Sequence, residues 1–335
     1  MITIGTSKGA YIVDARFRMQ QSGLFSGWKV TAWNRTSGGE SIAAIASNWF
    51  GASMQRSADG LDWEPISNGP TFAEGRELNQ IWTISNAGDR LYAGVDEAGL
   101  FSSDDGGDTW HGVPALNEWP TRDDWMPGLG GLCAHHVLTH ADRVVVGISA
   151  VGMFVSDDAG TSFEKRDIGV TKIAGDGDEV EAGRCVHSIV AHDGNPDLLW
   201  RQDHSGVYRT TDAGRSWARI ESGLPSSFGF PIGRDRRSGR LFIVPMESDE
   251  NRVSAEGRFR VFRSDDDGDS WQVSGTGWDD SPAFDTVLRN AMATDGDGTV
   301  VIGTTGGNVW ATRDAGDTWQ RADLQLPRIL SVEIT

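Results

Sequence analysis

Two of the seven histidines occupy the same position in two similar segments of the chain. Residues 132–140 read Leu-Cys-Ala-His-His-Val-Leu-Thr-His, and residues 184–192 read Arg-Cys-Val-His-Ser-Ile-Val-Ala-His. This alignment places His135 and His187 at one register, and Trp82 takes about the same position in an earlier segment. A histidine repeated at one register of a repeated unit predicts that imidazole groups gather at one place in the fold.

Such a cluster has the residue types of a metal or acid–base site. Two or three histidines with a carboxylate can bind Zn²⁺, Mn²⁺ or Fe²⁺ or can move protons near neutral pH. We predict His135, His187 and His204 as ligands of a divalent metal. Glu247, Asp96 and His204 are the candidate catalytic residues, since all three fall in turns expected at the same end of the units. The competing interpretation is that His135 and His187 are hydrogen-bonded strand residues that recur because the units recur.

Tryptophan and arginine side chains are candidate ligand contacts. Residues 119–127 read Trp-Pro-Thr-Arg-Asp-Asp-Trp-Met-Pro, which places Arg122 and Trp125 in one polar loop. The loop could cover a sugar or an aromatic ligand; alternatively, its tryptophans anchor the loop itself. Trp82 and Arg289 join the ligand-binding candidates because both are expected on or near inner strands.

A further segment, 175–181, reads Gly-Asp-Gly-Asp-Glu-Val-Glu and is acidic enough to attract Ca²⁺. It lacks the full EF-hand pattern, so a solvated loop is the favoured interpretation. The sequence contains no P-loop, dinucleotide-binding fingerprint, nucleophile elbow or zinc-finger spacing.

The elements that must position these residues are set by a repeated octapeptide, Ser/Thr-x-Asp-x-Gly-x-Ser/Thr-Trp/Phe. Its Asp can bond the backbone of its own turn, its Gly supplies a positive φ, and its aromatic residue can pack between sheets. The closing aromatic residues recur every 47 to 54 residues. The complete copies are 103–110, 156–163, 210–217, 264–271 and 312–319, and a shortened copy is 57–63.

Each repeat predicts four short strands, A to D, with the octapeptide as the turn between C and D. The N-terminal residues resemble strands B and C of such a unit, and residues 329–335 form a lone strand at the C-terminus. Pairing the two ends completes a seventh unit and closes a ring. We therefore expect an all-β chain with a single domain, residues 1–335, folded as a seven-bladed β-propeller of four-stranded antiparallel blades. The expected blades are 1–29 with 329–335, 30–68, 78–113, 132–167, 184–222, 228–276 and 286–323.

On these octapeptides the chain resembles the Asp-box, or BNR-repeat, β-propellers over its full length. That superfamily includes sialidases, xyloglucanases, sortilin-type receptors and a photosystem II assembly factor. The chain looks most like uncharacterised bacterial sialidase-like or WD40/YVTN/BNR-like propellers. The resemblance implies the fold and leaves the function open.

A sialidase activity is not expected from this sequence. Family sialidases carry an N-terminal Arg-Ile-Pro motif and a Tyr–Glu nucleophile pair, and no Arg-Ile-Pro is present here. All three tyrosines, Tyr11, Tyr92 and Tyr208, fall on predicted B or C strands, where packing explains them. An arginine triad could still bind a substrate carboxylate, but no tyrosine is expected beside it to act as the nucleophile.

The predicted topology also indicates which end of the strands carries a site. The B–C and D–A connections share one face of a propeller, and the octapeptide turns lie on the other. The long connections, 114–131, 168–183, 246–258 and 272–285, all fall on the first face. Since functional residues concentrate in such loops, we expect the site at the channel mouth opposite the octapeptides.

Composition excludes several partners. The formal net charge is −18, which disfavours nucleic acid and anionic membranes. Cys133 and Cys185 are too few for a disulfide scaffold. No signal peptide or long apolar run is recognisable, so a cytoplasmic location is the expectation, and a monomer is compatible with the sequence.

Two hypotheses for function follow. The first is a propeller that binds a small polar ligand, of the carbohydrate type among others, at the channel mouth, with metal-assisted hydrolase or lyase chemistry. The second is a non-catalytic protein-interaction or assembly propeller. Long loops and clustered histidines favour the first, and the lack of a complete catalytic set favours the second.

Overall fold

A computed structural model describes residues 1–73, 76–128, 130–173 and 183–334. These residues form 28 β-strands, the four-residue helix α1 (Pro114–Asn117) and short 3₁₀ turns at Arg122–Asp124 and Ala255–Gly257. No helix among them has the length and hydropathy needed to cross a membrane. The chain is therefore all-β, as its repeats predict.

Contacts divide the chain into two compact units. The first unit comprises residues 1–26, 167–171 and 187–335, and the second comprises residues 27–166 and 172–186. Each unit is built from antiparallel four-stranded groups, and one sheet of the first unit joins two such groups.

The second unit has three four-stranded sheets. They contain β4 (Lys29–Arg35), β5 (Ser41–Ser47), β6 (Gly51–Ser57) and β7 (Glu64–Pro65); β8 (Gln80–Ala87), β9 (Arg90–Asp96), β10 (Gly99–Ser103) and β11 (His111–Gly112); and β12 (Ala134–His140), β13 (Arg143–Ile148), β14 (Gly152–Ser156) and β15 (Glu164–Lys165).

Two four-stranded sheets and one eight-stranded sheet follow in the first unit. The first two contain β16 (Val186–His192, which starts at the boundary between the units), β17 (Asn195–Asp203), β18 (Gly206–Thr210) and β19 (Ala218–Arg219); and β20 (Gly229–Arg234), β21 (Leu241–Pro245), β22 (Phe262–Ser264) and β23 (Gln272–Val273). The third contains β1 (Ile2–Thr6), β2 (Gly9–Val13), β3 (Met19–Leu24), β24 (Val287–Thr294), β25 (Val300–Thr304), β26 (Val309–Thr312), β27 (Gln320–Arg321) and β28 (Ile329–Ile334).

The core lies on both faces of the middle strands. In the second unit, Val144 to Ile148 of β13 are all buried, a run that requires packing against both sides of the sheet. The last strand of every four-stranded sheet is only two residues long, and β7 ends in Pro65, a residue that suits an edge because it has no N–H to donate. Short edges of this kind limit unwanted pairing with other chains.

The octapeptides form the same hydrogen-bonded turn five times. In the copy at 156–163, the Ser156 hydroxyl donates to Asp158 Oδ1 at 2.7 Å and accepts from the Gly160 N–H at 2.8 Å. The same oxygen, Asp158 Oδ1, also accepts from the Ser162 N–H at 2.8 Å. Gly160 has a φ of +83°, which a glycine adopts without strain. The same hydroxyl–carboxylate bond measures 2.7 Å in all five copies.

The C-terminal strand pairs with the N-terminal strand, as the sequence predicts. β28 runs antiparallel to β1, with Ile2 opposite Ile334 and Ile4 opposite Val332. On its other side, β28 meets β24 through a parallel bridge between Asn290 and Ser331. The eight-stranded sheet of the first unit therefore depends on both ends of the chain.

Candidate functional site

The first strand of each sheet in the second unit carries a β-bulge at an equivalent position. The pairing registers skip Thr31 in β4, Trp82 in β8 and His135 in β12. A bulge leaves one residue out of the ladder and re-aims its side chain. The register shared by Trp82 and His135 in the sequence therefore marks a special backbone position.

Trp82 and His135 contact each other directly. Their ring centroids lie 4.5 Å apart with the planes near perpendicular. His135 is fully buried, whereas Trp82 is partly exposed. The more exposed Trp82 therefore packs against a fully buried His135 in the second unit.

Three of the predicted residues meet at one cavity of the second unit. A space of about 390 Å³ is lined by Asp96, Arg122 and Trp125, together with Glu97 and Arg76. Asp96 ends β9 and Glu97 lies in the β9–β10 turn. Arg122 begins the 3₁₀ turn in the long connection after β11. The sequence predicted three of these five residues from two separate arguments, and the structure brings them together.

Arg122, one of the two arginines of this cavity, is held in place by its neighbours. Arg122 is buried, donates a hydrogen bond to the Glu97 carbonyl oxygen, and has its guanidinium 4.9 Å from the ring of Trp125. Trp125 in turn packs on Phe154 with ring centroids 5.4 Å apart. Burial and the positive charge of Arg76 lower the pKa of Arg122, although an arginine stays charged near neutral pH. The cavity thus has a fixed cation on one wall.

Asp96 is a carboxyl group of altered acidity at this cavity. Burial raises its pKa, and the negative charge of Glu97 adds to the effect, while a hydrogen bond from the Cys133 thiol opposes it. A half-buried carboxyl group with a raised pKa beside a second carboxylate can exchange protons with a ligand.

The other two predicted metal ligands meet in the first unit. The ring centroids of His187 and His204 lie 5.8 Å apart, and a ring nitrogen of each lies within 4.8 Å of one of the other. Phe228 and Phe230 pack against His187 with centroid distances of 5.6 and 4.8 Å. This histidine pair, His187 with His204, lies at the inner strand β16 and the β17–β18 turn.

Hydrogen bonds determine which ring nitrogens of the histidine pair remain available to bind a ligand. His187 Nδ1 lies 2.6 Å from the carbonyl oxygen of Gly229, which can only accept, so Nδ1 carries the proton and Nε2 has the lone pair. His204 Nε2 lies 3.1 Å from Asp249 Oδ2, an arrangement that directs its Nδ1 elsewhere. Burial, followed by the positive charge of Arg289, lowers the pKa of His187 well below its usual value, so this imidazole is neutral.

Two arginines flank the histidine pair through one aromatic ring. The guanidinium groups of Arg289 and Arg252 lie 4.3 and 5.5 Å from the centroid of Phe230. Glu247 is exposed in the β21–β22 connection, and its carboxylate accepts from the Glu256 N–H at 3.2 Å. The carboxylate that contacts His204 is therefore Asp249 rather than Glu247.

Sequence reasoning missed several residues of these two sites. Asp249 lies only two positions after Glu247 in a connection already singled out as long, but spacing does not show which carboxylate turns towards His204. Phe228, just before β20, and Phe230 within it are two positions apart, so period-two spacing places them on one face. The acidic segment 175–181 lies outside the residues that the structure describes.

Comparisons with known proteins identify the fold. No protein-family model and no curated protein matches the chain. Among solved structures, YCF48 from Cyanidioschyzon merolae is similar with a TM-score of 0.59 at 13% identity, over 90% of this chain and 87% of that one. YCF48 bound to D1 peptide gives 0.57 at 13%, over 96% and 84% of the two chains. An ancestral GH74 enzyme gives 0.57 at 14%, over 96% of this chain but 40% of the enzyme. At these identities the likeness shows the fold alone, and that fold is a β-propeller.

Proposed function

We propose that this chain binds a small polar ligand of the carbohydrate class in the cavity lined by Asp96, Glu97 and Arg122. The observation that carries the proposal is the combination of hydrogen-bond-accepting carboxylates with hydrogen-bond-donating guanidinium groups in about 390 Å³. Sugar hydroxyl groups both donate and accept hydrogen bonds. Small-ligand pockets commonly have volumes of roughly 300–1,000 Å³, so the size is suitable.

The position of the cavity agrees with the topology expected of a propeller site. Asp96 and Glu97 lie at the β9–β10 turn, and the octapeptide 103–110 lies between β10 and β11. Because β10 runs between them, the two turns lie at opposite ends of this sheet. We further propose that the four-stranded groups are the seven blades expected from the repeats, with ligand-binding turns at the end away from the octapeptides.

Within this site we propose Asp96 as the acid–base residue of a hydrolase or lyase. Its raised pKa lets it hold a proton at a higher pH than an exposed aspartate, which is the property of a general acid. Glu97 supplies a second carboxylate at the same cavity. Arg122, fixed by Glu97 and Trp125, would orient the ligand.

Isothermal titration calorimetry of the purified chain with a panel of neutral and acidic oligosaccharides tests this proposal. We expect at least one sugar to bind, and Asp96→Asn and Arg122→Gln to weaken its binding at least fivefold. Asp104→Asn, a change in the turn at the other end of β10, is the matched control and should bind normally. Binding that is absent for every sugar, or unchanged in both cavity variants, would refute the proposed site.

A metal role is proposed separately for the histidine pair, His187 with His204. Metal-bound histidines usually donate their other ring N–H to a carbonyl or carboxylate, which orients the ring. Gly229 and Asp249 provide such partners for the two rings. The neutral state of His187 is also the state that binds a metal ion.

Metal analysis of untagged protein, with titration by Zn²⁺, Mn²⁺ and Fe²⁺, tests the metal role. We expect one of these ions to raise the melting temperature of the wild type but not of His187→Gln or His204→Gln. His192→Gln, at the last residue of β16, is the control. Less than about 0.2 equivalents of transition metal, with no thermal shift on addition, would leave the pair without a metal function.

A second candidate function is protein interaction. At the β5–β6 turn of the second unit, Trp49 is 89% and Phe50 77% exposed, and Trp28 lies against Phe50 with centroids 6.0 Å apart. Exposed aromatic clusters often mark contact surfaces. If the oligosaccharide panel does not bind, cross-linking in extracts with the wild type and with Trp49→Ser/Phe50→Ser is the next experiment. A partner captured only by the wild type would favour this role.

A further inference from the structure

A second cavity lies in the first unit, in a place that none of the residues considered so far occupies. It has a volume of about 350 Å³ and lies beside the connection between β23 and β24. Phe259, Phe284 and Trp310 form its apolar side, and Asp279, Asp285 and Arg321 contribute charged groups. We call it the aromatic cavity.

The apolar side of the aromatic cavity is a continuous stack of rings. Trp310 lies parallel to Phe259, with centroids 5.7 Å apart and planes 25° apart. Trp278 packs on Trp310 at 5.1 Å and on the buried Trp319 at 5.3 Å. Because Trp319 closes the octapeptide 312–319, the stack is anchored in the rigid core and not in a loop.

Hydrogen bonds also hold the polar side of the aromatic cavity in place. Asp285 Oδ2 accepts from the Thr304 hydroxyl at 2.9 Å and from the Asn308 amide at 2.6 Å. A Cβ at Gly306 would lie 2.1 Å from Asp285 Oδ1, so the turn before β26 is shaped around this carboxylate. Asp279 accepts from the Ser281 N–H at 2.9 Å. These contacts hold the polar groups in place before any ligand arrives.

Two hydrogen bonds to backbone carbonyl groups also fix the connection that forms the rim. The Ala283 N–H donates to the Gly257 carbonyl oxygen at 2.8 Å. Arg260 donates to the Asp279 carbonyl oxygen at 2.9 Å. Phe284 nevertheless remains 69% exposed at the edge of the cavity. An exposed aromatic side chain on a hydrogen-bonded connection, beside an open cavity, is a surface that a ligand can cover.

The charges of the aromatic cavity indicate the class of ligand. Asp279 and Asp285 oppose an anion, and Arg321 offsets part of their negative charge. A neutral molecule with hydroxyl groups can donate to the carboxylates and accept from Arg321 and the Asn308 amide. Its C–H face can lie on the aromatic side. A pyranose ring has both properties.

We propose that the aromatic cavity of the first unit is a binding site for a neutral sugar. The site does not rest on the cavity of the second unit, because it uses none of its residues. Trp310 and Phe284 form the apolar contact, and Asp279, Asp285 and Arg321 bond the hydroxyl groups. Its occupant would be a neutral oligosaccharide, and a single sugar ring would fill the part between the aromatic and polar sides.

Saturation-transfer NMR and calorimetry with the neutral tetrasaccharides of glucose, xylose and mannose test the proposal. The experiments use the full chain carrying Asp96→Asn and Arg122→Gln, so that any binding at the second unit is weakened and is the same in every variant compared. We expect transfer to ring C–H protons of one sugar. We also expect Phe284→Ser and Asp279→Asn each to weaken its affinity roughly tenfold, with unchanged melting temperatures.

Val273→Ser, an exposed apolar change in β23, and Asp323→Asn are the matched controls and should leave affinity unchanged. The proposal is overturned if none of the three sugars binds, or if Phe284→Ser and Asp279→Asn bind the sugar as the controls do. Tight binding of a quaternary amine or a nucleoside, in place of a sugar, would overturn the assignment of ligand class. None of these outcomes depends on whether the second unit binds a sugar.

Discussion

His187 Nδ1 lies 2.6 Å from the carbonyl oxygen of Gly229, at the first residue of the neighbouring strand β20. This bond joins two sheets of the first unit and sets the tautomer of a buried imidazole. Since a carbonyl cannot donate, the proton stays on Nδ1 whatever the ligand at Nε2 is. The bond thus has a structural role that can be separated from any metal role.

His187→Leu should destabilise the protein by about 1–3 kcal/mol because it leaves the buried Gly229 carbonyl without its donor. His187→Gln should cost less, since its amide can donate in the same place. Urea unfolding of the two variants, with His192→Gln as control, measures the difference. Equal losses for Leu and Gln would show that the hydrogen bond is not the stabilising element.

The same histidine predicts a pH dependence. Its folded pKa is lowered below the unfolded value of 6.5, so the unfolded chain binds a proton that the folded chain does not. Stability from this group is therefore present above pH 6.5 and is lost as pH falls below it. The melting temperature of the wild type should fall more between pH 7.5 and 5.5 than that of His187→Gln, and parallel curves would contradict this.

The raised pKa of Glu333 in β28 predicts the opposite dependence of folding stability on pH. Burial raises its pKa from 4.5 to about 7, so the folded chain keeps a proton that the unfolded chain loses. Stability should therefore fall as pH rises from about 4.5 to 7, by about 3 kcal/mol for a shift of this size. Glu333→Gln should be more stable than the wild type at pH 8 and similar to it at pH 4.5, as measured by urea unfolding. Glu250→Gln, an exposed change, is the control.

Arg201 should be among the most sensitive positions of the first unit. It is fully buried, bonds Asp167 at 2.7 Å and Asp203 through its other nitrogens, and lies 5.1 Å from the ring of Trp217. Arg201→Met leaves two buried carboxylates without their cation and should cost roughly 3–5 kcal/mol. Adding Asp203→Asn to Arg201→Met should recover part of the loss in chemical denaturation. If the double variant is as unstable as the sum of the two single variants, the ion pair is not coupled.

The lowered pKa of an octapeptide carboxyl group predicts that the protein loses stability in acid. Hydrogen bonds from Ser162 and Ser156 lower the pKa of Asp158 to about 2. Because the folded pKa lies below the unfolded value of 3.8, its stabilisation is present above pH 4 and is lost as pH falls towards 2. Asp158→Asn should lower the melting temperature by a few degrees at pH 6, and the difference should narrow near pH 2.5. A difference that stays constant across this range would exclude the charge as its cause.

The sequence predicted the strands well because the signals are local. The octapeptide between Ser156 and Phe163 carries its turn in its own side chains, and the strands around it extend from Ala134 to Lys165. The ends of the chain were also placed correctly, since Ile329 to Ile334 had no partner strand nearby in the sequence.

The site was predicted less completely because it depends on side-chain direction across distant segments. Arg122 and Asp96 were identified separately, but only the folded chain shows that they face one cavity. The bulges at Trp82 and His135 leave no clear mark in the composition. The aromatic cavity escaped notice because Trp278 and Trp310 lie far from each other in sequence, and a tryptophan in a propeller repeat is normally explained by packing.

The pairing of β28 between β24 and β1 has a consequence for aggregation. Removing β28, or fraying it, would expose the edges of two neighbouring strands at once, each with a row of backbone N–H and C=O groups. Two-residue edge strands such as β7 and β11 offer much less backbone to a foreign strand. The seam closed by Ile329 to Ile334 is therefore a place where the loss of one strand opens this protein to strand exchange with a second copy of itself.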